Sequence, residues 1–72
     1  MAHTAAKYAD LIGKSGMTVT MLRPAGIIEI EGVRLDVVSS GEMIHRNQPV
    51  RVIAVQGSRI VVEPAAGPPG NP

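Results

Sequence analysis

Gly26-Ile27-Ile28-Glu29-Ile30-Glu31-Gly32-Val33-Arg34-Leu35-Asp36-Val37-Val38 reads as a β-hairpin. With Glu31-Gly32 as the turn, Ile30 falls across from Val33 and Ile28 across from Leu35 on one face, while Glu29 falls across from Arg34 on the other. One face is apolar and the other charged, so the pair is expected to lie over a core with its back in water. That back, Glu29, Arg34 and Asp36, holds no aromatic, cysteine or histidine and does not read as an active site.

Working outward, the punctuation is regular. Met17, Val19 and Met21 alternate with Thr18 and Thr20, which predicts a first strand with an apolar face and a hydroxyl face. Arg23-Pro24-Ala25-Gly26 breaks it, since Pro24 cannot donate to a ladder and Gly26 is free to take backbone angles closed to other residues. The hairpin supplies strands two and three. Ser39-Ser40-Gly41-Glu42 is a turn cluster, and Met43 to Gln48 is too short and too mixed for a full helix, so it is read as a loop with at most one helical turn. Pro49 opens a fourth strand, Val50 to Val55, Gln56-Gly57-Ser58 turns the chain, and Arg59 to Glu63 forms a fifth, closed by Pro64.

Five short strands with no helix to cover their apolar face predict closure into a small all-β barrel, which covers its own interior and leaves no open edges. The organisation expected is a leader or linker over residues 1–12, a barrel over residues 13–64 and a disordered tail over residues 65–72, where Gly and Pro replace large side chains.

Seventy-two residues allow one domain at most, burying roughly 60% of the surface the unfolded chain exposes. The absence of cysteine removes disulfides, thiolate metal sites and thiol nucleophiles. Seven Lys and Arg against six Asp and Glu give a net charge of +1, too small for a strong general attraction to nucleic acid or an anionic membrane. No apolar run exceeds four residues, far short of the roughly 20 that a spanning helix needs.

Leu11-Ile12-Gly13-Lys14-Ser15-Gly16, then Leu22-Arg23-Pro24-Ala25-Gly26 leading into Glu29 to Ser39, then Pro49-Val50-Arg51-Val52 and Gly57-Ser58-Arg59-Ile60-Val61-Val62, resembles the C-terminal soluble domain of NfeD-like membrane proteins. The resemblance runs from Leu11 to Pro64; each segment alone is a weak signal, and it is the ordered set, including Leu-Arg-Pro-x-Gly before the hairpin, that is specific. It implies a five-stranded OB-fold barrel whose usual helix between strands three and four is reduced to a loop. It further implies a domain that follows transmembrane helices, on the cytoplasmic side, in proteins that act with stomatin-like (SPFH or prohibitin-type) membrane partners. Longer members carry a ClpP-like serine protease domain with a Ser-Lys pair; none of its residues is matched here, and no enzymatic activity carries over. The chain is then expected to be an excised, soluble domain with a linker end or added residues in Met1 to Asp10, a naturally short protein being the other reading.

Other chemistries find less support. Oligonucleotide-binding OB barrels stack bases on aromatics in a basic groove. The only aromatic here is Tyr8, outside the barrel, although Arg23, Arg46, Arg51 and Arg59 are candidates to cluster on folding. Ser39 or Ser40, His45 and Asp36 supply the ingredients of a hydrolytic triad without a nucleophile elbow or oxyanion hole. His3 and His45, far apart, make a poor metal pair, and no cofactor is expected. Met43-Ile44 either caps the open end of the barrel or forms an exposed partner contact. Pro24 stiffens its turn and Leu22 plugs the barrel, while Arg23 is either an ion-pair partner of Asp36 or Glu42 or a recognition residue at the loop tip. The function expected is a non-catalytic protein-interaction domain that docks onto a stomatin-like partner or a copy of itself, with Arg23, Met43, Ile44 and Arg51 as candidate contacts. An oligonucleotide-binding domain and a structural spacer are the alternatives.

Overall fold

A computed structural model describes residues 8–65. His3, the first part of the leader and the tail beyond Ala65 lie outside the described residues. Five strands, β1 (Ser15–Thr18), β2 (Ala25–Ile30), β3 (Val33–Ser39), β4 (Pro49–Gln56) and β5 (Arg59–Pro64), close into a barrel in the order β1-β2-β3-β5-β4. Every neighbouring pair is antiparallel except β3 with β5. The connection between β3 and β4 contains no helix, as the composition of Gly41 to Gln48 leads one to expect.

The hairpin has the expected register: Ile30 pairs with Val33, Glu29 with Arg34 and Ile28 with Leu35. Its two turn residues both hold positive φ, 52° at Glu31 and 82° at Gly32, the backbone of a type I′ turn whose twist matches that of the strands it joins. Ile28 and Ile30 are buried and Leu35 packs against the core, but Val33 is 56% exposed. It points to the apolar side yet stands at the barrel rim beside the turn, beyond the last layer of core.

The first strand departs from its expected frame. Met17 is half exposed, whereas Thr18 is 1% exposed. Met17 is opposite Glu29 and Pro49, both on the outer wall, and Thr18 is opposite Ile28, which points inward. A buried hydroxyl is tolerated only when it is hydrogen-bonded. Here it is: Thr18 Oγ1 donates to the His45 carbonyl at 2.7 Å and accepts from the Gln48 N–H at 2.8 Å. The Thr18 backbone is tied to the same loop, its N–H donating to Gln48 O and its carbonyl accepting from Asn47 N–H, both at 2.9 Å. The strand then ends short of Met21, as Val19 and Thr20 N–H both turn to the Ile27 carbonyl.

Gly26 has a different role from the one its backbone freedom implies. Its φ is not positive; instead a Cβ there would come within 2.5 Å of Leu22 Cδ2 and 2.6 Å of Met21 O. Glycine is needed because the segment before β2 folds back onto it. On β4 a bulge between Val52 and Ala54 places Ile53 outside the ladder, 40% exposed, so that Val52 and Val55 both turn toward the interior despite standing three apart.

The interior is aliphatic: Ile28, Ile30, Val37, Val50, Val52, Ile60 and Val62 fill the barrel. Each such side chain contributes about 1.5–3 kcal/mol when fully buried. Both ends are stoppered. At one end Leu22 and Ile44 form an isolated antiparallel bridge, N–H to carbonyl at 2.8 and 3.1 Å, and bury both side chains. At the other, a turn over residues 8–13 lays Tyr8 and Leu11 against the core and is held by the Gly13 N–H to the Val52 carbonyl at 2.8 Å.

Candidate functional site

The Leu22–Ile44 bridge builds a surface as well as a plug. Successive side chains on an extended segment point to opposite sides. Leu22 and Ile44 are turned inward, and the residues next to them in the chain, Arg23 and Met43, stand at the same end of the barrel. Met43 is 52% exposed, and Arg23 is exposed. The backbone beneath them is fixed on both sides. Ser39 N–H donates to the Pro24 carbonyl at 2.8 Å, Arg23 N–H reaches the Ala25 carbonyl at 3.3 Å, and the Ser39 hydroxyl donates to the Glu42 carbonyl.

The ion pair considered for Arg23 does not form. Among the described residues the one salt bridge is Lys14 to Glu31, 3.2 Å, at the other end of the barrel. Among the described residues the Arg23 guanidinium thus has no carboxylate partner. Met43 also opens onto a shallow groove of about 200 Å³ bordered by His45, Gln48, Pro49 and Pro64.

The other candidate contacts separate from this pair. Ile44, 4% exposed, plugs the end of the barrel, as the capping reading of Met43-Ile44 expects, while Met43 is exposed. Arg51 stands on the outer wall, opposite Ser15 of β1 and Glu63 of β5. That Arg23 and Met43 come to one end of the barrel was not legible in sequence, where 20 positions separate them.

The competing chemistries do not assemble. Asp36 and Ser39 lie three apart on one strand, hence on opposite faces. Asp36 is exposed, while the Ser39 hydroxyl is buried and already committed to Glu42. Among the described residues no three His, Asp or Glu side chains converge as metal ligands. Nor do the arginines form one basic face. Arg46 lines a groove with Glu29, Glu31 and Arg34, and Arg59 lines another with Asp36, so acids interrupt each. Tyr8 is half-buried against the core and presents no stacking platform.

The family model described as the NfeD-like C-terminal, partner-binding domain matches residues 8–64. Membrane protein NfeD1b of Bacillus subtilis (strain 168) is 55% identical over 53 residues, which is 74% of this chain and 12% of that protein's length. The C-terminal domain of stomatin operon partner protein 1510-C from Pyrococcus horikoshii superposes with a TM-score of 0.77 at 27% identity, covering 82% of this chain and 94% of that one. The soluble domain of the NfeD protein YuaF from Bacillus subtilis gives 0.75 at 25% identity, covering 86% and 82%.

Proposed function

The chain belongs to the family of NfeD-like C-terminal, partner-binding domains, and from that premise we propose that it docks a stomatin-like membrane protein through the end face formed by Arg23 and Met43. The domain is non-catalytic and is related to domains of membrane proteins. No helix among the described residues is long and apolar enough to cross a membrane. Because the chain spans 12% of the NfeD1b length, anchorage by a neighbouring segment and placement on the cytoplasmic side are parts of the proposal.

The choice of partner is supported by the similarity to a protein named for the stomatin operon. The choice of face is supported by one observation: the Leu22–Ile44 bridge brings to one end of the barrel an exposed, adaptable methionine and an exposed arginine that has no ion pair among the described residues. Such a pair suits a partner that presents a carboxylate next to an aliphatic patch, since the charge orients the encounter and the thioether fills the contact.

Amide chemical shifts of the labelled domain, followed while the soluble part of a stomatin-like protein is added, test the face. The expected result is perturbation concentrated at Leu22 to Ala25 and Glu42 to His45. Perturbation confined to the β2–β3 outer wall overturns the assignment.

A further inference from the structure

The outer wall of the barrel carries an apolar row that crosses three strands. On β5 Ile60 and Val62 are buried, so Arg59, Val61 and Glu63 face outward. On β3 Val37 and Ser39 are buried, which turns Asp36, Val38 and Ser40 outward in the same way. Val61 pairs with Val38 on one side and with Ala54 on the other, where the bulge leaves Ile53 40% exposed. Residues paired in this way share a face. Charges flank the row on both sides. The same registers set Arg59 abreast of Asp36 and Gln56 on one side, and Glu63 abreast of Ser40 and Arg51 on the other.

We propose that this wall packs face to face on the same wall of a second copy of the chain, with β5 antiparallel to β5 and Val61 on Val61. The charges select the arrangement. With the two β5 strands antiparallel, Arg59 of each copy meets Glu63 of the other, Asp36 meets Ser40 and Arg51 meets Gln56, so no charge faces its like. With the strands parallel, Arg59 meets Arg59 and Glu63 meets Glu63, which is repulsive twice. The antiparallel contact is isologous and closes at two copies.

The single chain leaves these groups unsatisfied. Among the described residues neither Arg59 nor Glu63 has an ion pair, and Asp36, Val38 and Arg59 border an open groove of about 500 Å³. In the paired state Ile53 and Val38 of one copy each meet the same residue of the other, which covers the row. A convex wall gives a contact smaller than the roughly 800 Å² per partner of a standard interface, so the association is weak. Neither Arg23 nor Met43 belongs to this wall, so self-packing and partner docking fail separately.

Sedimentation equilibrium of the full chain up to about millimolar concentration tests this. The natural sequence is expected to dimerise reversibly, and Arg59→Glu alone or Glu63→Arg alone to weaken dimerisation at least about tenfold. An equimolar mixture of these two variants is expected to recover it, because each then supplies the charge the other lacks. A defect confined to one chain is not rescued by another, so recovery on mixing reports the contact itself. Circular dichroism checks that each variant is folded, and Ser40→Asp, at an exposed position facing Asp36 of the other copy, is expected to weaken dimerisation as well. A natural sequence that stays monomeric throughout, dimers indifferent to these variants, or a mixture no better than its parts overturns the proposal.

Discussion

The hydroxyl of Thr18 joins segments 27 and 30 residues away in sequence, accepting one hydrogen bond and donating another inside a nearly dry barrel wall. Its replacement by valine keeps the shape and orphans the Gln48 N–H and the His45 carbonyl. Thr18→Val is therefore expected to cost about 2–3 kcal/mol in urea unfolding, while Thr18→Ser, which keeps the hydroxyl, costs about 1 kcal/mol. Equal losses for the two would mean that packing of the methyl, and not the hydrogen bonds, holds the residue. Gly26 is decisive for a steric reason: a methyl there meets the Leu22 side chain and the Met21 carbonyl. Gly26→Ala should destabilise by about 1–3 kcal/mol in the same measurement, through overpacking.

Among the elements, the hairpin and the first strand show what a sequence displays and what it hides. Alternation and turn chemistry agree in Ile28 to Leu35, and both act between residues close in the chain, so register and turn are legible there. The frame of β1 is set by polar partners in the Asn47–Gln48 segment, which no local pattern announces, and so Met17 and Thr18 exchange the sides their alternation implies. The β3–β4 loop shows the same division. Its lack of a helix follows from composition, but its split into a buried Ile44 and an exposed Met43 depends on the bridge to Leu22. Ile44→Ala should cost about 2–4 kcal/mol by opening the plugged end of the barrel, and Met43→Ser should change stability by less than about 0.5 kcal/mol. Thermal unfolding of the two variants side by side checks this, and similar losses would contradict the division of roles.

At the scale of the molecule, closure into a barrel was legible from five strands lacking a covering helix, and the family from the ordered set of motifs between Leu11 and Pro64. The candidate site was half legible. Arg23 and Met43 stand out as residue types, but only the fold brings them to one end of the barrel and sends Ile44 inside and Arg51 to the wall. Charge is spread in the same way. With a net charge of +1, acids beside Arg46 and Arg59, and the one aromatic packed on the core, single-stranded DNA or RNA has neither a basic track nor a stacking surface. A fluorescence titration with labelled single strands should show no saturable binding at physiological salt. Micromolar binding that weakens steeply with added salt would restore the oligonucleotide alternative.

The central claim is that the Arg23–Met43 end face carries partner binding, and calorimetric titration of the soluble part of a stomatin-like protein into this domain tests it most directly. Saturable binding is predicted for the natural sequence, with affinity reduced at least about tenfold by Arg23→Glu with Met43→Ser, in a variant whose unfolding curve is unchanged, and retained by Arg51→Glu. Binding that survives the Arg23 and Met43 substitutions, or no binding by the natural sequence, would contradict it.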